Sequence, residues 1–537
     1  MTARRWLFAI WVCFLARTAF YSAALPLWEG FDEWAHFAVI RRMALRGERL
    51  VPRNGKVPRD VAASLELAPV PWAMRNMPPP SLTQDAYWRL PAAQRGGREA
   101  TFRSMPARWA FEDCAGALTA YEALQPPLYG WIMVPVSLAA RSRGLADEVL
   151  WLRWLSSAIG SLAIPLVFLV GRSVFRCDPV ALGCAAVVAA MPEFAFDMAR
   201  VGNECVAVVL FTLLTWLALE AFLKGLSYRR AASIGVVLGL GLLTKAYFLA
   251  ALPAVALLVA YSFWRTQGKR IGVLFGALII AAASLAIAGW WYVQNVRTTG
   301  TLSGMNEAVM LRGTNQAAIL QRAGEVHWAR AVDTILLSHL WFGGWSGLMV
   351  RSWMYHLFYA VILLAAIGLV RAIRQPAVAA VSAIYAWFWI GQLYNVVLLF
   401  LTKGLSGSMG WYMYAVIAAE VAICTAGLRA LAPPKWRQWV PFAGASLFGL
   451  LDLYTVHFVA MPYYAGMIAH RANDALAAFH LDALVPIGVS GMVARLDAFK
   501  ATIVSQPLLV ALWAAYLAAT LALPAVCYAC RRDARCL

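Results

Sequence analysis

Charge is scarce in this sequence. Asp, Glu, Lys and Arg make up 14% of its 537 residues, while 62% are hydrophobic and the mean hydropathy is +0.65. Such a composition excludes an ordinary soluble protein. Acids are scarcer than bases, 27 against 46, and the balance of +19 would suggest a nucleic-acid partner in a soluble chain. Here much of the surplus sits in short clusters between apolar runs, where topology is set, so nucleic acid is not an expected partner. The sequence also has no disulfide framework. Its nine cysteines, at 13, 114, 177, 184, 205, 424, 527, 530 and 536, mostly lie in or beside apolar runs, where a thiol packs as a small hydrophobe. The Cys527-x-x-Cys530 pair has no second pair or histidine cluster to make a metal site with, and packing is its expected role. No internal repeat of the kind found in many secondary transporters is visible.

What is present is a series of apolar runs of membrane-crossing length. They fall at about 6–27, 149–170, 179–199, 203–223, 231–244, 246–264, 271–293, 353–370, 377–401, 411–430, 438–460 and 505–529. The fold class is therefore an all-α polytopic membrane protein with about twelve transmembrane helices. Small residues follow the first run as they would in a secretory signal, but the run is long enough to span, and we expect an uncleaved anchor. With Arg4 and Arg5 inside, alternate connections carry Arg172/Arg176, Lys224/Arg229/Arg230, Arg265/Lys269/Arg270, Arg371/Arg374, Arg429/Lys435/Arg437 and Arg531/Arg532/Arg535. Each then satisfies the positive-inside rule. The stretch Pro126–Ala140 is apolar but short, and a crossing there would invert the next three basic clusters; it is expected to lie at the interface. Three long segments are then extracytoplasmic, at 28–148, 294–352 and 461–504, and function is expected there. The localisation that follows is multi-pass in the cytoplasmic (inner) membrane, with an extracytoplasmic site.

Directly after the first run comes Asp32-Glu33-Trp34-Ala35-His36-Phe37, leading into a mixed apolar and basic stretch suited to a helix at a membrane surface. At about 100° per residue, Asp32, His36 and Glu33 fall at about 0°, 40° and 100°, so two carboxylates and an imidazole share one face. Such a pair can supply a general base, hold a divalent cation or bind sugar hydroxyls; the alternative is a solvated acidic helix start. A zinc-peptidase reading fails, because it needs two histidines four apart. Tyr121-Glu122-Ala123-Leu124-Gln125-Pro126-Pro127 holds polar groups on an extended backbone at the boundary. Lys245 interrupts an apolar region at 231–264, where a lysine must snorkel or meet an anion. Gly289-Trp290-Trp291-Tyr292 leads to Arg297, a cation suited to clamping phosphate, and Trp411-Tyr412 opens a later run as an aromatic belt or a sugar platform.

These motifs, in this order, resemble the GT-C superfamily of integral membrane glycosyltransferases. Within it the chain is most similar to a bacterial membrane-protein family of unknown function, with protein O-mannosyltransferases and lipid A aminoarabinose transferases as distant relatives. The similarity runs over about residues 1–300, with weaker echoes to about 430. The resemblance implies a GT-C-like catalytic module at 1–300, whose first loop carries juxtamembrane helices, a second loop at 301–352, and a C-terminal transmembrane module at 353–537 with an extracytoplasmic segment at 461–504. It implies a polyprenyl-phosphate-linked sugar donor, an acceptor that is a glycan, lipid or protein, and a carboxylate base falling on Asp32 or Glu33. His36, Tyr121, Glu122, Gln125, Lys245, Arg297 and Tyr412 are the implied substrate-binding set, with Lys245 and Arg297 near the lipid phosphate. Two positions depart from the pattern: Asn203-Glu204 stands in place of Asn-Asp, and Gly410-Trp411-Tyr412 in place of Gly-Arg-Tyr. The competing readings are a lipid-sugar flippase, with Arg17, Arg153, Glu220 and Asp452 as pathway residues, and a polysaccharide polymerase or ligase.

Overall fold

The computed structural model describes residues 2–106, 118–140, 142–266, 268 and 270–531. Among them there is no strand, and helices carry nearly all of the regular structure. All twelve expected runs are helical. Ten helices are long and apolar enough to cross a membrane, from Ala3–Ala24 (α1) to Gln506–Cys530. The other two depart in length or shape. The run at 179–199 is a pair, Asp178–Ala190 and Pro192–Met198, bent by 69°, because Pro192 has no N–H to continue the first helix and holds Met191 extended. The run at 231–244 is a 15-residue helix, Tyr228–Leu242. Leu128–Ala140 is an apolar helix of 13 residues, too short to span, and it packs against Glu33–Arg46 (α2) and Leu145–Ser161. Cys177, expected to be a packing thiol, is instead disulfide-bonded.

The few charges inside the apolar runs are paired across long sequence distances. Arg17 meets Asp452 at 3.1 Å, both fully buried, and Asp452 also accepts from Tyr21 Oη at 2.6 Å and Thr520 Oγ1 at 3.1 Å. A charge in hydrocarbon is tolerated only with such partners. The helix carrying Asp452 loosens into a π-turn at Thr455–Ala460 immediately afterwards. Glu220 is paired with Lys224 and Ser173, and Arg153 with Glu33.

α1 ends where Pro26 holds Leu25 extended. Its last carbonyls are capped from afar: Arg153 donates to Ser22, Leu25 and Pro26, and Lys500 to Ala24 and Leu25. The chain then turns through Trp28 (φ 66°) and Asp32 (φ 55°) into α2, which closes at Gly47. Two non-glycine residues at positive φ in one five-residue turn mark stored strain that surrounding contacts must hold. Glu29 is one anchor, accepting from the Ser346 N–H at 2.8 Å and from its hydroxyl at 2.9 Å. Ser346 in turn accepts from His470 Nε2 at 2.9 Å, and His470 Nδ1 sits 3.0 Å from Asp85. The long segments 28–148, 294–352 and 461–504 therefore meet over the turn that carries Asp32.

Candidate active site

Asp32, the N-cap of α2, is half-buried, and its Oδ1 accepts from Tyr121 Oη at 2.6 Å. The backbone before it is fixed by Arg200, which donates to the Phe31 carbonyl at 2.6 Å. That approach leaves no room at Gly30, where a Cβ would lie 2.7 Å from Arg200 Cβ. Behind Asp32 the Phe31 ring stacks on Trp411, centroids 3.7 Å apart and planes within 15°. Trp411 is 2% exposed, so it forms the floor under the turn that carries Asp32.

The neighbouring carboxylate is differently placed. Glu33 is fully buried, with Oε1 accepting from Arg153 Nε at 2.8 Å and the Val201 N–H at 3.0 Å, and Oε2 from Arg153 Nη2 at 2.6 Å. Both of its oxygens are committed to the scaffold. The acidic pair thus has only Asp32 to offer a substrate, and its donor set does not fit a divalent cation bridging both carboxylates. Among the described residues no three His, Cys, Asp or Glu side chains come together as a metal site.

One turn along α2, His36 Nε2 lies 3.4 Å from Glu122 Oε2. Burial, with Arg200 and Lys245 nearby, holds the His36 imidazole well below its usual range, so it is neutral. Burial and the charge of Asp32 push the Glu122 carboxyl up to about 8. Lys245, in the break between two helices, is ion-paired to Glu204 and donates to Asn203 Oδ1 at 3.1 Å, with its Nζ 5.0 Å from the centre of the Tyr412 ring. Arg200 joins the same group through Asp197 at 2.7 Å and Glu204 at 2.7 Å.

His36, Glu122, Gln125 and Asn203 line one recess together with Trp291 and Arg49. Two buried polar atoms on its walls, Gln125 Oε1 and Trp291 Nε1, have no hydrogen-bond partner, and Glu122 Oε2 has only the His36 contact. A buried polar group left unpaired costs about 1–3 kcal/mol, so these atoms suit the recess to a polar ligand. Beside it Trp131 donates to the Arg49 carbonyl at 2.9 Å and stacks near Trp290, an aromatic pair of the kind found at a membrane interface. Arg49 is exposed, and among the described residues it is within ion-pair reach of no carboxylate.

The expected site residues Asp32, His36, Tyr121, Glu122, Gln125, Lys245 and Tyr412 are thus gathered in one region. Arg297 is not: it is exposed and stands about 240° around its helix from Trp291, which faces the recess.

No family model matches the sequence, and no curated protein does. Solved structures do. The chain is similar to ArnT from Cupriavidus metallidurans in the apo state, with 15% identity, a TM-score of 0.47, and coverage of 97% of this chain and 77% of that one. It is similar also to ArnT bound to undecaprenyl phosphate, at 16% identity over 96% of this chain and 76% of that one, TM-score 0.47. A third is the archaeal oligosaccharyltransferase AglB from Archaeoglobus fulgidus, in complex with an inhibitory peptide and a dolichol-phosphate. There the identity is 13% and the TM-score 0.42, and 97% of this chain spans 56% of that one.

Sequence reasoning did not place Arg200, Arg49 or Trp291 in the site. Arg200 had a signal, a lone cation closing an apolar run, which is costly without a role. Arg49 and Trp291 had none beyond the general expectations for a basic interfacial helix and an aromatic belt.

Proposed function

We propose that the protein is an integral membrane glycosyltransferase that moves a sugar from a polyprenyl-phosphate donor to an acceptor at the extracytoplasmic face of the cytoplasmic membrane. The observation that carries this reading is the placing of Asp32, half-buried at a positive φ and held by Tyr121, near a recess with unbonded polar wall atoms and with Arg49, which among the described residues is within ion-pair reach of no carboxylate. In a compartment without nucleotide sugars a glycosyl donor arrives on a lipid, so the enzyme needs spans for the tail, a cation for the phosphate and polar atoms for the sugar. Sugar hydroxyls would donate to Glu122 Oε2 and Gln125 Oε1 and accept from Trp291 Nε1. Arg49 would meet the phosphate, a role for which the exposed Arg297 is out of place, while Lys245 is held by Glu204 and Asn203. Undecaprenyl phosphate in ArnT and dolichol-phosphate in AglB are ligands of the same class.

In this scheme Asp32 takes the proton of an acceptor hydroxyl as its oxygen bonds to the anomeric carbon. The bond from that carbon to the phosphate oxygen breaks, and the polyprenyl phosphate leaves with the electron pair, in one inverting displacement. Tyr121 keeps the carboxylate oriented. Polar groups gathered at one region, with Arg17, Arg153, Glu220 and Asp452 each locked to a partner, speak against a flippase pathway through the membrane.

The test is transfer by the purified protein in lipid nanodiscs, from a radiolabelled polyprenyl-phosphate sugar. Asp32→Asn is expected to slow turnover about 10²–10⁴-fold without moving the thermal unfolding midpoint. Transfer at the wild-type rate by that variant would remove Asp32 from the mechanism, and a wild-type protein that neither transfers from nor co-purifies with any such lipid would remove the reaction class.

A further inference from the structure

A second, small recess shares no residue with the recess lined by His36 and Glu122. Its walls come from the end of α1, from the first long segment around Tyr87 and Trp88, from Tyr464 at the end of a span, and from the third long segment, which contributes Arg495 and Lys500. Two cations and no carboxylate line it. Among the described residues neither Arg495 nor Lys500 is within ion-pair distance of an acid. The charged groups around it are Arg95, Arg98, Arg103 and Arg153 on the basic side and Glu29, Glu33, Glu99 and Asp497 on the acidic side, with Glu99 tied to Arg103 at 2.8 Å and Glu33 to Arg153 at 2.6 Å.

Part of this arrangement is structural. Lys500 caps α1 by donating to the Ala24 and Leu25 carbonyls at 2.7 and 2.6 Å, and Arg495 Nη1 donates to the Ala465 carbonyl at 3.0 Å. These bonds use two of the three ammonium protons and one of the five guanidinium N–H groups. The Trp88 ring lies between two guanidinium groups, Arg95 at 5.2 Å and Arg495 at 5.3 Å, and so holds Arg495 in place. Tyr464, which also lines the cavity and is 5% exposed, has a hydroxyl with no partner. Burial, with Arg153 nearby, holds the Lys500 ammonium well below its usual range, and Asp497 and Glu33 only partly oppose that shift.

We infer that this cavity is a binding site for an oxyanion, a phosphate or carboxylate carried by a lipid headgroup or a soluble molecule, gripped by Arg495, Lys500 and the Tyr464 hydroxyl. Charge-assisted hydrogen bonds from a guanidinium and an ammonium suit such a group, and the hydroxyl supplies the third donor. The inference is independent of the transferase reading.

The experiment uses the full chain in phosphatidylcholine nanodiscs and follows the thermal unfolding midpoint. Inorganic phosphate and glucuronate are titrated, with glucose and sodium chloride at matched ionic strength as controls. A saturable rise with either anion is expected, absent from the controls, and Arg495→Gln and Tyr464→Phe are each expected to weaken apparent affinity at least about tenfold. Lys500 is left unchanged because it also caps α1. In discs doped with phosphatidylglycerol, native mass spectrometry reads retained lipid. Retention by the wild type and loss in Arg495→Gln identifies a headgroup as the source, and a soluble-anion response alone identifies a soluble ligand. The inference is overturned if neither probe binds, or if both variants respond as the wild type does.

Discussion

Asp32 and Glu33 are adjacent acids, and the structure predicts opposite consequences for neutralising them. Asp32→Asn removes a half-buried charge that accepts from the Tyr121 hydroxyl, at a backbone φ that asparagine adopts readily. Its cost should be confined to the chemistry, a loss of about 10²–10⁴-fold in turnover, which is about 3–5.5 kcal/mol in the barrier. Glu33→Gln instead leaves the Arg153 guanidinium buried without its counter-charge, a change worth about 3–5 kcal/mol in comparable pairs. The lower end applies, because Arg153 keeps its bonds to the Ser22, Leu25 and Pro26 carbonyls. The assay is a matched pair of measurements on each variant in nanodiscs: single-turnover transfer from lipid-linked sugar, and equilibrium unfolding in mild denaturant. Asp32→Asn should be inactive and as stable as the wild type; Glu33→Gln should be about 3 kcal/mol less stable and should retain turnover in the folded fraction. If Glu33→Gln proves fully stable yet loses turnover, while Asp32→Asn transfers normally, the assignment of roles is refuted.

Three further outcomes are expected. Arg49→Gln should raise KM for the lipid donor about tenfold or more with little change in kcat if the guanidinium grips the phosphate in ground and transition states alike, and Arg297→Gln should change neither; steady-state kinetics decide it. The Glu122 carboxyl, at about 8 in the folded protein against 4.5 ordinarily, binds more protons folded than unfolded between those values, so its contribution to stability falls as pH rises through that window. The limiting slope is about 1.4 kcal/mol per pH unit, and Glu122→Gln should flatten the profile of unfolding midpoint against pH; parallel profiles would count against it. Arg17→Leu should cost about 3–5 kcal/mol by stranding Asp452, and adding Asp452→Leu should recover most of that loss in a double-mutant cycle read by thermal unfolding.

The transmembrane plan was legible because apolar runs and their flanking arginines are local signals. The bend at Met191–Pro192 could be read from the proline, but the 15-residue length of Tyr228–Leu242 could not be separated from the apolar region it belongs to. In the site, Asp32, Tyr121, Glu122 and His36 announced themselves as polar groups bordering apolar runs. The fate of Glu33 depended on Arg153, 120 residues away, a pairing with no local trace, and Arg153 itself looked like a transport-pathway residue until its partner was visible. Arg297 stands apart for a geometric reason: six residues from Trp291 on the same helix turn it about 240° away, whereas the motif gave only distance along the chain.

The contacts that hold the turn around Asp32 also have a temporal side. Glu29 is anchored by Ser346, Ser346 by His470, the end of α1 by Lys500, and Arg17 by Asp452 with Thr520 beside it. Every one of these partners is synthesised hundreds of residues after the turn it secures. A nascent chain that has reached Lys245 therefore already contains Asp32, Tyr121 and Glu122 and the early brace from Arg200, yet lacks the later anchors at Ser346, Asp452, His470 and Lys500, so the turn around Asp32 acquires its full set of contacts late in synthesis.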